Sequence, residues 1–161
     1  MNNVIISPHC DDEIIGCFEV LAKSKWSSIW YVEKVEKSRE DDALQISDVL
    51  NVNSMDFFRG NYDRLRKRIK SLKERTRYYF PDPYFETHPA HRAIGAIGEE
   101  FLRKGFNVLF YSVNMEAPYI REVKNSGDKE RCLNYLYYSE RSLWETEKKF
   151  ILFEGTCKWI L

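Results

Sequence analysis

The chain has 161 residues, 43% of them hydrophobic and 15% aromatic, with 25 basic and 25 acidic side chains. That size suits one folded domain over 1–161, and the apolar content excludes a disordered chain. A formal net charge of zero argues against a broadly basic nucleic-acid surface, so no nucleic-acid partner is expected.

Val4-Ile5-Ile6 is short, apolar and β-branched, and predicts a buried first strand. The polar turn Ser7-Pro8-His9-Cys10-Asp11-Asp12 follows, then a helix from about Glu13 whose apolar side is Ile14, Ile15, Phe18, Leu21 and Ala22. Residues 28–32 predict a second strand, 39–50 a helix ended by Asn51, and 55–58 a third strand. The basic segment 64–75 predicts a helix with Leu65, Ile69 and Leu72 inward. Its charges read as a solvated face, with an anion or phosphate contact as the alternative.

Residues 77–80 predict a fourth strand, stopped by Pro81-Asp82-Pro83. The loop Phe85-Glu86-Thr87-His88-Pro89-Ala90-His91-Arg92 leads into a helix ended by Gly105, and 107–113 predicts a fifth strand. Beyond it, 119–124 reads as a strand, 128–139 and 141–149 as helices, and 150–153 as a strand or buried tail. Five strand–helix alternations predict an α/β, Rossmann-like three-layer fold with a mostly parallel sheet. Such folds place ligands beyond the C-terminal strand ends.

Cysteines at 10, 17, 132 and 157 have no Cys-x-x-Cys spacing, which excludes a zinc ribbon. Free thiols suit a reducing compartment, most simply the cytoplasm. No apolar run approaches the roughly 18 residues of a membrane span, and no signal peptide is read.

All three histidines fall in the two polar turns, one after the first strand and two after the fourth. His9 and Asp12, three residues apart across a strand-to-helix turn, can converge on one divalent ion, with His91 as a third ligand. Two imidazoles and a carboxylate suit catalytic zinc and equally iron. Asp11, beside the ligand pair, can take a proton from attacking water. His88 can steady a tetrahedral oxyanion or protonate a leaving amine. That set is sufficient for metal-assisted amide hydrolysis.

The plain alternatives are that Asp11 and Asp12 only cap a helix, that His9 is a buried hydrogen-bonded histidine, and that His88 and His91 are turn residues. Glu13 reads as a first-turn acid or a partner supporting the ligands, and Gly16 as a site of close helix–sheet packing. Cys10 is disfavoured as a ligand, because it and His9 would both have to turn toward one ion.

Pro8-His9-Cys10-Asp11-Asp12-Glu13 with Gly16 resembles the opening motif of the PIG-L/LmbE family of zinc-dependent N-acetylglucosaminyl deacetylases, usually His-Pro-Asp-Asp-Glu. His88-Pro89-Ala90-His91 resembles the family's His-Pro-Asp-His. Residues 38–52, through Arg39, Asp42, Leu50 and Asn51, and residues 57–65 give weaker matches. The resemblance covers roughly 4–113. It implies one zinc ion per chain on His9, Asp12 and His91, with Asp11 as base and His88 facing the oxyanion or leaving amine. The implied substrate is a small N-acylated amino sugar or conjugate.

Beside it stand a non-catalytic metal- or sugar-binding relative and a zinc amidohydrolase acting on a modified nucleotide or other small metabolite. Arg39, Arg59 and Asp63 are candidate substrate contacts, the two arginines equally candidates for structural ion pairs. Cys10 replaces the motif's proline and Ala90 its aspartate. Without that aspartate, His88 is expected to protonate less readily unless Glu86, Asp82 or another acid substitutes. The chain is short for the family, so its pocket is expected to be open or completed by a neighbouring subunit of a homo-oligomer.

Overall fold

A computed structural model describes residues 1–72 and 75–157. Its strands are β1 (Asn2–Ser7), β2 (Ser27–Tyr31), β3 (Val52–Phe57), β4 (Thr76–Pro81), β5 (Asn107–Tyr111), β6 (Arg121–Glu122), β7 (Phe153–Glu154) and β8 (Thr156–Cys157). Its α-helices are α1 (Asp12–Lys23), α2 (Lys37–Leu44), α3 (Ile46–Val49), α4 (Tyr62–Ser71), α5 (Pro89–Arg103), α6 (Ser126–Leu136), α7 (Arg141–Thr146) and α8 (Lys149–Leu152).

The main sheet runs β3-β2-β1-β4-β5-β8. Its first five strands are parallel, and β8 joins β5 antiparallel. Alternation along the strands sorts side chains onto two faces. Ile5, Ile29, Tyr31, Tyr79 and Tyr111 pack under α1, α2, α3, α6, α7 and α8. Val4, Ile6, Trp30, Tyr78, Phe80 and Phe110 pack under α4 and α5. Helices therefore cover both faces of a mostly parallel sheet, as the alternation predicts.

The chain moves from β1 outward to β2 and β3, then returns to place β4 on the other side of β1. The turns after β1 and β4 thus leave neighbouring strand ends at the point where the winding reverses. A crevice opens there in such sheets.

Several boundaries differ from the sequence reading. The helix expected over 39–50 is broken at Gln45; of its expected apolar stripe Ala43 and Ile46 are buried, while Val49 is 41% exposed. It ends before Asn51, with Leu50 extended at the C-cap. Helix α4 starts earlier than expected because the Asn61 side chain accepts the Arg64 N–H at 2.9 Å. It ends at Ser71, and residues 73 and 74 of the expected helix lie outside the described residues. Its arginines are partnered: Arg66 meets Glu100 at 3.1 Å, and Arg64 and Arg68 sit over the Phe58 and Trp30 rings. Gly105, at φ 80°, does follow α5, and Phe106 N–H closes back on the Phe101 carbonyl. The strand expected over 119–124 shrinks to β6, which pairs with β7 in a separate ribbon. Residues 149–152 are helical, so the strand expected over 150–153 is reduced to β7.

Helix α1 kinks at Cys17 (φ −136°, ψ 21°). Gly16 lies against the Tyr111 ring, where a Cβ would come within 2.3 Å of Cδ2. The kinked turn is met from outside: buried Lys129 donates to the Ile15 carbonyl at 2.6 Å, and Glu154 accepts the Glu19 N–H at 2.7 Å. Lys129 and Glu154 also pair at 3.4 Å. Burial pulls the Lys129 ammonium down to about 8, against the opposing charge of Glu154.

Lys129→Met is expected to lose about 3–5 kcal/mol in urea unfolding at neutral pH, since it strands a buried carboxylate and two carbonyls. A loss within the error of the titration would contradict this. The unfolded lysine holds its proton up to about 10.5, so below about 8 the cost of burying the charge is fully present. Wild-type stability relative to the variant should rise with pH between those values, where the unfolded chain binds more protons.

Candidate metal centre

The turn after β1 carries His9, and the first residue of α1 is Asp12. The Asp12 carboxylate folds back to accept the His9 backbone N–H at 2.8 Å. Asp11 holds the N-cap position but its side chain makes no capping hydrogen bond. The two aspartates are therefore not used as simple caps. Asp11 sits at φ 120°, a conformation that costs a non-glycine residue on the order of 1–3 kcal/mol.

The loop after β4 brings His88 to the N-cap of α5 and His91 into its first turn. His9 Nδ1 lies 3.1 Å from His91 Nε2, and Asp12 Oδ2 lies 3.2 Å from both. These three atoms form a nearly equilateral triangle. Its edges are close to the roughly 3.3 Å between ligands of a tetrahedral ion with bonds of about 2.0–2.1 Å.

The ring nitrogens of His9, His88 and His91 also lie within 4.8 Å of one another, so the three histidines form a cluster able to hold a divalent ion. Two donor sets thus share His9 and His91, completed by Asp12 or by His88. The two differ in support. His91 Nδ1 faces Glu86 Oε2 at 3.2 Å, which leaves Nε2 for the centre. His88 Nδ1 instead accepts the Ala90 N–H at 3.2 Å, so in the neutral ring the proton lies on Nε2 and no lone pair is free there.

The electrostatics match this division. Burial alone would raise the Asp12 carboxyl, but His91 and His9 outweigh it and hold the group low. Burial opposes the charged form of His91, yet the charges and hydrogen bonds of Asp12 and Glu86 raise it to about 10. Both shifts mark the triangle as a place where positive charge is favoured. Asp11 is pushed well above the usual carboxylate range, first by burial and then by the Asp12 charge, with Arg39 opposing. Burial and the Glu13 charge push the Cys10 thiol up and disfavour the thiolate, and Cys10 is packed in the core.

Arg39, at the start of α2, crosses to Asp11 Oδ2 at 2.9 Å and also donates to the Cys10 carbonyl. It lines a cavity of about 620 Å³ together with Asp11, Asp12 and the three histidines. Arg59 and Asp63 are not brought to this cavity; they line a separate hollow with Gly60 and Asn61. Arg59 spends its guanidinium on Glu40, at 3.0 and 2.8 Å. Glu13 is wholly buried beneath the turn and accepts the Asp11 N–H at 3.0 Å.

Glu86 is one of the acids the sequence offers as a substitute for the motif aspartate beside His88. It pairs with His91 rather than standing in beside His88, and Ser112 and the Val113 N–H anchor its other oxygen at 2.6 and 2.7 Å. An acid in the polar loop five residues before His91 was the available signal. The far wall of the cavity, Asn114, Glu140, Leu143, Lys149 and Phe150, was also missed. The chain's own C-terminal elements therefore wall the pocket.

No family model matches the sequence, and no curated protein matches it. Among solved structures, N,N'-diacetylchitobiose deacetylase from Pyrococcus horikoshii, complexed with its inhibitor MPG, aligns with a TM-score of 0.72 at 15% sequence identity. The alignment covers 96% of this chain and 82% of that one. The likeness is one of fold. Among the described residues, no helix is long and apolar enough to cross a membrane.

Proposed function

We propose that the chain is a zinc-dependent amide hydrolase of the PIG-L/LmbE type that removes an acyl group, in the first instance acetyl, from the nitrogen of an amino sugar or its conjugate. The observation that carries this reading is the donor triangle of His9, Asp12 and His91, with edges of 3.1–3.2 Å, lining a cavity beyond the C-terminal ends of β1 and β4. The deacetylase of like fold supports the choice of reaction. The double histidine motif supports the family.

His9, Asp12 and His91 would hold one zinc ion per chain. When bound, that ion supplies a Lewis acid that polarises the acyl carbonyl and acidifies water. Asp11 would take the proton of the attacking water. Arg39 holds the Asp11 carboxylate from the side and limits its rotation. His88, exposed at the cavity mouth, would donate a hydrogen bond from Nε2–H to the developing oxyanion; protonating the leaving amine needs its imidazolium form, which gives up one proton and is left neutral. Glu86 would fix the tautomer and plane of His91.

Ala90 favours a second reading, a metal- or sugar-binding protein without turnover. Among the described residues no acid forms an ion pair with His88, so the acid step lacks the support that the motif aspartate gives. One experiment separates the readings. The protein is purified without chelator or added metal, its metal content is determined by mass spectrometry, and acetate release is followed over N-acetylated amino sugars and their conjugates. About one zinc per chain with acetate release is expected. Zinc without release across the panel would favour the binding protein, and no metal even after zinc is offered would defeat the hydrolase and leave only a sugar-binding protein.

A further inference from the structure

Glu13 is fully buried, and its two oxygens divide their partners by origin. Oε2 serves the site turn: it accepts the Asp11 N–H at 3.0 Å, with Ser7 Oγ 3.1 Å away. Oε1 serves the rest of the fold: it accepts the Tyr31 hydroxyl at 3.0 Å and the Tyr137 hydroxyl. Tyr31 ends β2. Tyr137 stands at the C-cap of α6, 124 residues along the chain from Glu13. Both rings are buried, and their hydroxyls lie 3.4 Å apart.

A glutamate in a first helical turn has three side-chain torsions. One hydrogen bond to a neighbouring N–H leaves its carboxylate free to rotate. Two hydroxyls on the opposite oxygen remove that freedom. What is held in this way is the backbone of Asp11, the residue with φ 120°. A strained backbone persists where its surroundings over-determine it. Here the determining contact reaches back to α6.

We infer that Tyr137 is a positioning residue, which through Glu13 holds the Asp11 backbone and so aims the Asp11 carboxylate. The inference rests on the reading of Asp11 as the base. It adds that the segment after β5, which carries none of the histidine motifs, sets the geometry of the reacting group.

The test is Tyr137→Phe in the full chain, with Tyr31→Phe as a second variant on the same oxygen. Two readouts are taken: amide hydrogen exchange resolved by residue, and kcat, KM and metal content. The Asp11 amide is expected to exchange about tenfold faster in Tyr137→Phe while the core amide of Ile29 is unchanged, a local rather than global opening. The kcat value is expected to fall about 10- to 100-fold with KM and metal content unchanged, the signature of a misplaced reacting group.

An Asp11 amide that exchanges as in wild type would overturn the inference. So would Asp11 and Ile29 amides accelerated together, since that is general destabilisation, or metal lost in step with kcat. If wild type releases no acetate, the reading as a hydrolase fails separately, and the exchange result still decides whether Tyr137 holds Asp11.

Discussion

Asp11→Asn is expected to retain its metal and lose about 10²–10⁴-fold in turnover, the usual contribution of a positioned general base. The replacement is nearly isosteric, and its carbonyl oxygen can still accept from Arg39, which now lies 2.9 Å from the carboxylate. The Asp11 backbone N–H remains on Glu13. What disappears is the capacity to take a proton. Asp12, one residue on, keeps its contacts to His9 and His91, so the donor triangle is undisturbed. The informative pair of numbers is metal per chain beside kcat. Equal metal with wild-type turnover would remove Asp11 from the role of base. Lost metal would place Asp11 among the ligands instead.

The layers of this fold are legible because its strands alternate faces and its helices carry stripes. Val4 and Ile6 point to one core and Ile5 to the other, and the same holds for Tyr78 and Phe80 against Tyr79. The two histidine turns follow from that alternation, since β1 and β4 are neighbours wherever the winding reverses between them. The C-terminal third resists such reading. Its strands are two residues long and its last two helices six and four, too short for any period to register.

Partnerships between distant residues are hidden for another reason. Nothing near Glu13 announces that Tyr137 will reach it, and nothing near Lys129 announces the kink at Cys17. Arg59 is open in the sequence between a substrate contact and a structural ion pair, and turn geometry shows the ion pair. It sits at φ 52° before Gly60 at φ 80°, and that turn directs its side chain to Glu40. The weak family match over 57–65 carries no information about that turn.

The second large effect concerns the metal, and three variants together identify its ligands. His91→Ala is expected to lower zinc affinity by more than about 100-fold, beyond the range seen when only a supporting contact is lost. Glu86→Gln should cost about 10- to 100-fold, since it keeps a hydrogen-bond partner for His91 Nδ1 but removes the charge. His88→Ala decides between the two donor sets. If zinc sits on His9, Asp12 and His91, this variant keeps its metal and loses turnover. If it sits on the three histidines, His88→Ala loses metal as fully as His91→Ala does. The structure favours the first outcome through one proton: the Ala90 N–H donates to His88 Nδ1, so neutral His88 carries its hydrogen on Nε2 and has no lone pair there to give. His91, backed by Glu86 at Nδ1, would keep its hydrogen on that far side and give its Nε2 lone pair to an ion held with Asp12 and His9.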